Sequence, residues 1–174
     1  MNARRLHAAK ELQPEIRPAA VEDWASIYPF YSAIVEAGET YAFPLGQSPE
    51  EACPWWMEEP PGLTVVAVDG DEVLGSAKMG PNRPGRGVHV ATASFMVDPA
   101  HRGRGVGRAL GEYALAWARE AGYAGMQFNA VVETNTAAVA LWQELGFEIV
   151  GTVPEAFDHV RHGRVGLHVM YRRL

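Results

Sequence analysis

A run of glycines and arginines, placed where a strand pattern gives way to a helix pattern, most limits the folds open to this chain. It reads Val97-Asp98-Pro99-Ala100-His101-Arg102-Gly103-Arg104-Gly105-Val106-Gly107-Arg108-Ala109-Leu110. Ahead of it, residues 88–97 have the apolar character of a buried strand closed by Asp98-Pro99. Beyond it, Val106, Ala109, Leu110, Tyr113, Ala114, Trp117, Ala118 and Ala121 recur at helical spacing as far as Gly122. A helix start exposes unpaired N–H groups and the positive end of the helix dipole, so it can receive an anion. Gly103, Gly105 and Gly107 remove side chains that would block close approach, and Arg102, Arg104 and Arg108 add positive charge. The bland alternative is a glycine-rich turn with surface arginines, but three glycines are a poor local choice for opening a helix. A dinucleotide G-x-G-x-x-G would need its third glycine at Arg108 or Leu110, and the Lys-Ser or Lys-Thr end of a P-loop is missing. The segment therefore predicts a pyrophosphate cradle of another kind.

The remaining chain supplies a sheet around this turn. Residues 1–13 read as a flexible leader, and a single domain is expected over 14–174. A short edge strand is predicted at 15–18, then a helix over 21–37 stopped by Gly38. Ser48 and Glu51 form a capping-box pattern that opens a second helix towards Met57, its regularity limited by Pro54. Runs at 63–68 and 72–79, joined through Asp69-Gly70, predict a hairpin. After the long helix come a strand near 126–131, a helix over 135–145 stopped by Gly146, and strands at 147–153 and 165–172. Alternating strands and helices in this half imply a mixed α/β sheet with helices on its faces.

Composition narrows the partners. The chain has 15 Lys and Arg against 21 Asp and Glu, a net charge of −6, which argues against a nucleic-acid surface built on phosphate neutralisation. Any anion must be met locally, as at the glycine loop. Cys53 is the single cysteine, so no intrachain disulfide forms, and neither it nor the six histidines show zinc-ligand spacing. No metal is expected. The charged N-terminal stretch and the lack of any run of about 18 apolar residues predict a cytoplasmic protein away from the membrane.

Within the loop, Arg102-x-x-Gly105-x-Gly107 resembles the coenzyme A signature Q/R-x-x-G-x-G/A of the GNAT superfamily of N-acetyltransferases. Downstream, the run from Asn135 through Ala138, Leu141 and Trp142 to Gly146-Phe147 resembles that family's N-x-x-A-x-x-L-Y-x-x-x-G-F element. The resemblance implies a GNAT-like, mainly antiparallel sheet of six or seven strands with helices on both faces. It also implies acetyl-CoA as cosubstrate and direct transfer of acetyl to a small-molecule amine in a ternary complex. The amides and arginines of residues Arg102, Gly103, Arg104, Gly105, Val106, Gly107 and Arg108 would hold the pyrophosphate. The backbone around Phe95, Met96 and Val97 would pair with the pantetheine arm and polarise the thioester, with Ala138 and Trp142 beside the cofactor. The run Phe128-Asn129-Ala130-Val131-Val132-Glu133-Thr134-Asn135, with Ala93-Ser94-Phe95-Met96-Val97, is similar to the branch that acetylates azetidine-2-carboxylate and other proline analogues. That similarity implies Asn129 against the substrate and Asn135 beside the reacting thioester, with Thr92 at a pocket position where relatives often carry Asn. Relatives are often homodimers.

Each residue also has a plainer reading. Asn135 opens a helix and is a natural N-cap. Asn129 lies in a strand, where Asn is disfavoured unless buried and bonded or functional. Trp142 stands where many relatives have tyrosine, and an indole N–H cannot act as an acid near neutral pH, so it packs around the cofactor or in the core. For the proton, Glu133, Asp158, His89, His168 and ordered water are the candidates. His159 and His162, with Arg161 and Arg164, read as a solvated loop, and Cys53 as a packed side chain. Tyr41, Phe43, Trp55 and Trp56 can wall an amine pocket or simply pack helices. An amino acid or analogue is the preferred acceptor. A protein N-terminus, a polyamine or an amine-bearing toxin is the enzymatic rival, and a noncatalytic acyl-CoA-binding module is the rival from another class.

Overall fold

The computed structural model describes residues 13–174, so the expected leader over 1–13 lies outside it except for its last residue. The chain begins with β1 (Glu15–Pro18), followed by α1 (Trp24–Glu36), α2 (Pro49–Trp56), β2 (Leu63–Asp69), β3 (Glu72–Pro81) and β4 (Val90–Val97). The second half supplies α3 (Val106–Glu120), β5 (Gly125–Val132), α4 (Thr136–Glu144), β6 (Glu148–His159) and β7 (Gly163–Arg173). Seven strands form one sheet in the order β1-β2-β3-β4-β5-β7-β6. Every pairing is antiparallel except β4 with β5, because α3 carries the chain back across the sheet between them.

Alternation along β2 distributes the core. Val65 and Ala67 face a cluster with Leu110, Ala114 and Ala118 of α3 and Trp142 of α4. Val66 and Val68 face the other way, against Ile27, Tyr31 and Ile34 of α1 and Trp56 of α2. Helices therefore cover both faces. Each such large apolar side chain taken from water contributes about 1.5–3 kcal/mol. The Trp56 indole N–H donates to Ser76 Oγ at 2.9 Å, and that hydroxyl donates to Val65 O at 2.8 Å, so these two buried polar side chains are paired.

The local signals behave as their chemistry requires. Ser48 Oγ accepts from Glu51 N and Glu51 Oε2 accepts from Ser48 N, which completes the capping box of α2. Pro54 does not interrupt that helix as expected; it stands on the exposed side, where a carbonyl left without its N–H partner is open to water. In the β2–β3 hairpin Gly70 takes φ +58° and Asp69 pairs with Glu72, so the two-residue turn is Gly70-Asp71. Arg17 of β1 grips Asp23 with both terminal nitrogens, at 2.7 and 2.9 Å, while Asp23 Oδ2 also accepts from Ala20 N. The bond from Arg17 holds the Asp23 carboxyl below the usual carboxylate range.

Strand β6 runs six residues beyond the expected end at Val153. Two register slips against β7, the second between Val153 and Phe157 with Glu155 at φ +52°, hide its alternation from the sequence. As a consequence, the solvated-loop reading fails for His159. It closes β6 with 5% exposure, and its Nδ1 accepts from Arg161 N.

Candidate active site

The parallel pair β4–β5 is joined only at Val90–Gly125 and Ala91–Met126, after which the two strands part. A cavity of about 880 Å³ fills the gap, lined by Thr92 to Val97 on one side and Phe128 to Val132 on the other. It runs on to the glycine loop, Asn135, Ala138 and Trp142.

The peptide groups of β4 alternate between β3 and this gap. Both polar groups of Phe95 are bonded by a side chain from the gap side, so Phe95 faces away from β3. Asp98 N bonds Leu74 O on β3, three residues on and of opposite parity. Val97 therefore presents its N–H and C=O to the gap with Phe95. Met96 does not: its peptide groups face Ser76 of β3 and its side chain is buried against α1, a correction to the expected backbone contact there.

At the head of the gap α3 begins on Gly105, left-handed at φ +83° with no side-chain cap. The first bond back to the cap runs from Ala109 N to Gly105 O, which leaves the amides of Val106, Gly107 and Arg108 as unpaired donors. Gly103 is also left-handed at φ +74°, and a Cβ there would meet nothing within 4 Å. The arginines divide. Arg102 lines the cavity, and among the described residues no carboxylate pairs with it. Arg104 instead turns to His101 Nδ1 at 2.8 Å and lies off the cavity wall, while Arg108 lines the cavity but is engaged by Glu144 and, at 4.0 Å, by Glu112. The expected three-arginine cradle is thus one unpaired arginine and a set of open amides. An elongated anionic ligand fits this arrangement: open amides at one end, free strand edges along the gap, and room for its length.

Asn135 caps α4, its Oδ1 accepting from Ala138 N at 3.3 Å, and its Nδ2 makes no bond among the described residues. Trp142, two turns on, is 7% exposed and packs on Phe95 and Phe128 with ring centres 4.6 and 5.0 Å away. It forms the apolar floor of the gap.

Tyr41, Thr92 and Asn129, expected beside the substrate, all line the cavity. Asn129 is exposed rather than buried, and the ladder to β7 slips between Phe128 and Val131, which removes the ordinary penalty of Asn in a strand. Its Oδ1 accepts from Gln127 and its Nδ2 donates to Asn82 Oδ1 at 2.7 Å. Thr92 and Asn129, with Ala93, Ser94 and Phe43, also line a second cavity of about 380 Å³. Glu58, Glu59 and Lys78 border it, with Lys78 Nζ 3.0 Å from Glu58 Oε1. Tyr41, Phe43 and Trp55 line the main cavity, whereas Trp56 is core.

None of the side chains named from sequence as proton acceptors lines either cavity. Glu133 is bonded to Gly166 N, His168 to Thr152, and Asp158 and His89 are exposed elsewhere. The ionisable groups at the cavities include Glu39, His101, Glu58, Glu59 and Lys78, which no sequence motif singles out. They come from four separate segments, and only His101 lies within the recognised loop.

The comparisons agree with this geometry. The model of the acetyltransferase (GNAT) family matches residues 20–147. A GCN5-related N-acetyltransferase structure from Kribbella flavida is 58% identical, with a TM-score of 0.89 over 92% of this chain and 97% of that one. The structure of yncA from Salmonella typhimurium with acetyl-CoA is 26% identical, with a TM-score of 0.81 over 94% of this chain and 95% of its own. The N-acetyltransferase aca1 of Schizosaccharomyces pombe is 29% identical over 142 residues, 73% of this chain and 68% of the relative.

Proposed function

The chain belongs to the acetyltransferase (GNAT) family, and on that premise we propose that it transfers acetyl from acetyl-CoA to the amine of an amino acid or amino-acid analogue. The observation that carries this reading is the split between β4 and β5, which runs from the open α3 amides to a second cavity bordered by charged groups. Acetyl-CoA supplies an activated thioester, and the protein's own contribution is placement. The amides of Val106 to Arg108, with Arg102, hold the diphosphate; the edge of β4 at Phe95 and Val97, unpaired with β5, aligns the arm; and Trp142 excludes water from one side. Asn135, whose Nδ2 is unused by its cap, donates to the reacting end. Thr92 and Asn129 stand between the two cavities and orient the acceptor.

The small cavity favours a compact amine carrying further charge. Lys78 suits a carboxylate, while Glu58 and Glu59 suit a second cationic group, so a zwitterionic amino acid satisfies both signs. Among these acceptors, proline analogues are preferred on the resemblance carried by the 128–135 segment. Glu133, Asp158, His89 and His168 lie off both cavities, and the amine loses its proton to water in the cavity. The test is thiol release from acetyl-CoA across amino acids, proline analogues, polyamines and peptides. Turnover confined to amino acids is expected. Faster turnover of polyamines or peptide N-termini would move the assignment to those acceptors, and acetyl-CoA binding without turnover on any of them would replace it with a binding module.

A further inference from the structure

Tyr41 reaches the free edge of β4 from outside the sheet. It lies in the connection between α1 and α2, and its hydroxyl donates to Phe95 O at 2.6 Å while accepting from Phe95 N at 3.0 Å. One oxygen thereby satisfies both polar groups that Phe95 turns towards the gap, much as the peptide of a neighbouring strand would. Phe95 stands between the glycine loop and the end of the gap where Thr92 and Asn129 meet the second cavity. Under the acetyl-transfer reading, on which this inference rests, an acyl chain reaching from the α3 amides to the acceptor must run along that edge. It then meets the Tyr41 hydroxyl.

The ring of Tyr41 and the start of its connection are held by contacts that do not involve its hydroxyl. Its ring stacks on Phe43 at 5.3 Å and meets Trp56 edge-on at 6.2 Å. The connection is anchored upstream of it by the β6–β7 turn, through Val160 N to Gly38 O at 3.0 Å and Arg161 to Glu39 at 2.6 Å. Burial pushes the hydroxyl above the usual phenol range, so at neutral pH it is a protonated donor able to trade partners.

We infer that the Tyr41 hydroxyl is a placeholder for the acyl-CoA arm on Phe95: it holds the Phe95 N–H and C=O in the free protein and yields them when acyl-CoA binds. Two hydrogen bonds are exchanged for two, so the step is nearly balanced, and the hydroxyl's grip subtracts from acyl-CoA affinity. Tyr41 is then a positioning residue that tunes the affinity of the acyl donor.

Tyr41→Phe keeps the ring stack and removes the grip. Calorimetric titration with acetyl-CoA should give a Kd roughly three- to tenfold lower than wild type, the size expected when displacement of modest net hydrogen bonds is no longer required. The melting temperature of the free variant should fall, because Phe95 loses its partners, and its rise on adding acetyl-CoA should grow. An unchanged Kd would mean that Tyr41 stays on Phe95 and is purely structural; a raised Kd would mean that it holds the ligand, and either overturns the inference. Failure of wild type itself to bind acetyl-CoA would instead remove the acetyl-transfer reading beneath it. Should the variant not fold, a crystal structure of wild type with acetyl-CoA decides: Tyr41 Oη should stand beyond about 4 Å from Phe95 N, outside bonding range, and a retained bond refutes the placeholder.

Discussion

Asn135 offers the sharpest separation between holding the fold and serving the reaction, because its two amide atoms are differently employed. Its Oδ1 takes the Ala138 N–H at 3.3 Å, a long cap bond, and its Nδ2 is free to donate. Asn135→Ala removes both. Losing a cap costs about 1 kcal/mol, which for a domain of this size lowers Tm by roughly 2–4 °C. Losing a donor that acts mainly in the transition state costs about 1.5–3 kcal/mol, or roughly ten- to hundredfold in kcat and kcat/KM together. Asn135→Asp and Asn135→Ser divide these effects. Both keep an oxygen for the Ala138 N–H, and aspartate adds a charge that the start of α4 favours by about 0.3–1 kcal/mol. Melting curves for both should therefore stay near wild type, while initial rates fall as far as in the alanine variant. Serine guards against attributing the loss to the aspartate charge. Full turnover in Asn135→Ser, or a rate loss in Asn135→Ala no larger than its loss of folded protein, would refute the donor role and leave Asn135 a cap alone.

Gly105→Val places a branched side chain at φ +83° over the open amides, so it should abolish the rise in melting temperature that coenzyme A produces; an unchanged rise in the folded variant would refute the cradle. Trp142→Phe should raise the KM for acetyl-CoA and leave the shape of the pH–rate profile between about pH 6 and 10 unaltered, since the indole exchanges no proton; a lost alkaline limb would refute this. Asp23→Asn should destabilise the fold at neutral pH, with the deficit fading on acidification. The folded carboxyl titrates below its unfolded value, so its contribution is complete above the unfolded pKa and disappears as pH falls through the folded one. A deficit that does not shrink at all as pH falls below the unfolded carboxylate range, measured by denaturant titration, would refute the ion pair as its source.

Local chemistry made most of the fold readable. The capping box at Ser48, the Asp69-Gly70 turn and the 3.6-residue spacing of α3 each act over a few residues, and each appears close to where the pattern puts it. Strand β6 escaped because its bulges break the period-two signal on which strand reading depends. The site divides in the same way. The glycine loop and Asn135 are contiguous motifs, whereas the fate of each arginine is settled by residues distant in sequence: Glu144 lies 36 positions after Arg108, and nothing around Arg108 announces it. The bond between Tyr41 and Phe95 spans 54 positions and is equally silent. Asn129 is an unusual strand residue by its chemistry, yet it is tolerated because of an exposed slip in the ladder rather than burial.

The location of the split follows from the topology. A parallel pair inside an otherwise antiparallel sheet needs a crossover, and α3 supplies it, so α3 must start where β4 ends. Helix α4 follows β5 after three residues, so it starts at the same edge, beside the free ends of both strands. Two helix N-termini therefore flank one gap, and both present their unpaired N–H groups towards its mouth. Had β4 and β5 stayed paired to their ends, Phe95 and Val97 would have spent their peptide groups on β5, leaving open amides but no edge along which a ligand could lie. Had the pair been antiparallel, a hairpin would have replaced α3 and removed the cradle. The binding capacity of this chain thus depends on combining one parallel pair with its early divergence, and the glycines at 103 and 105 allow the turn between strand and helix to be made without covering the donors.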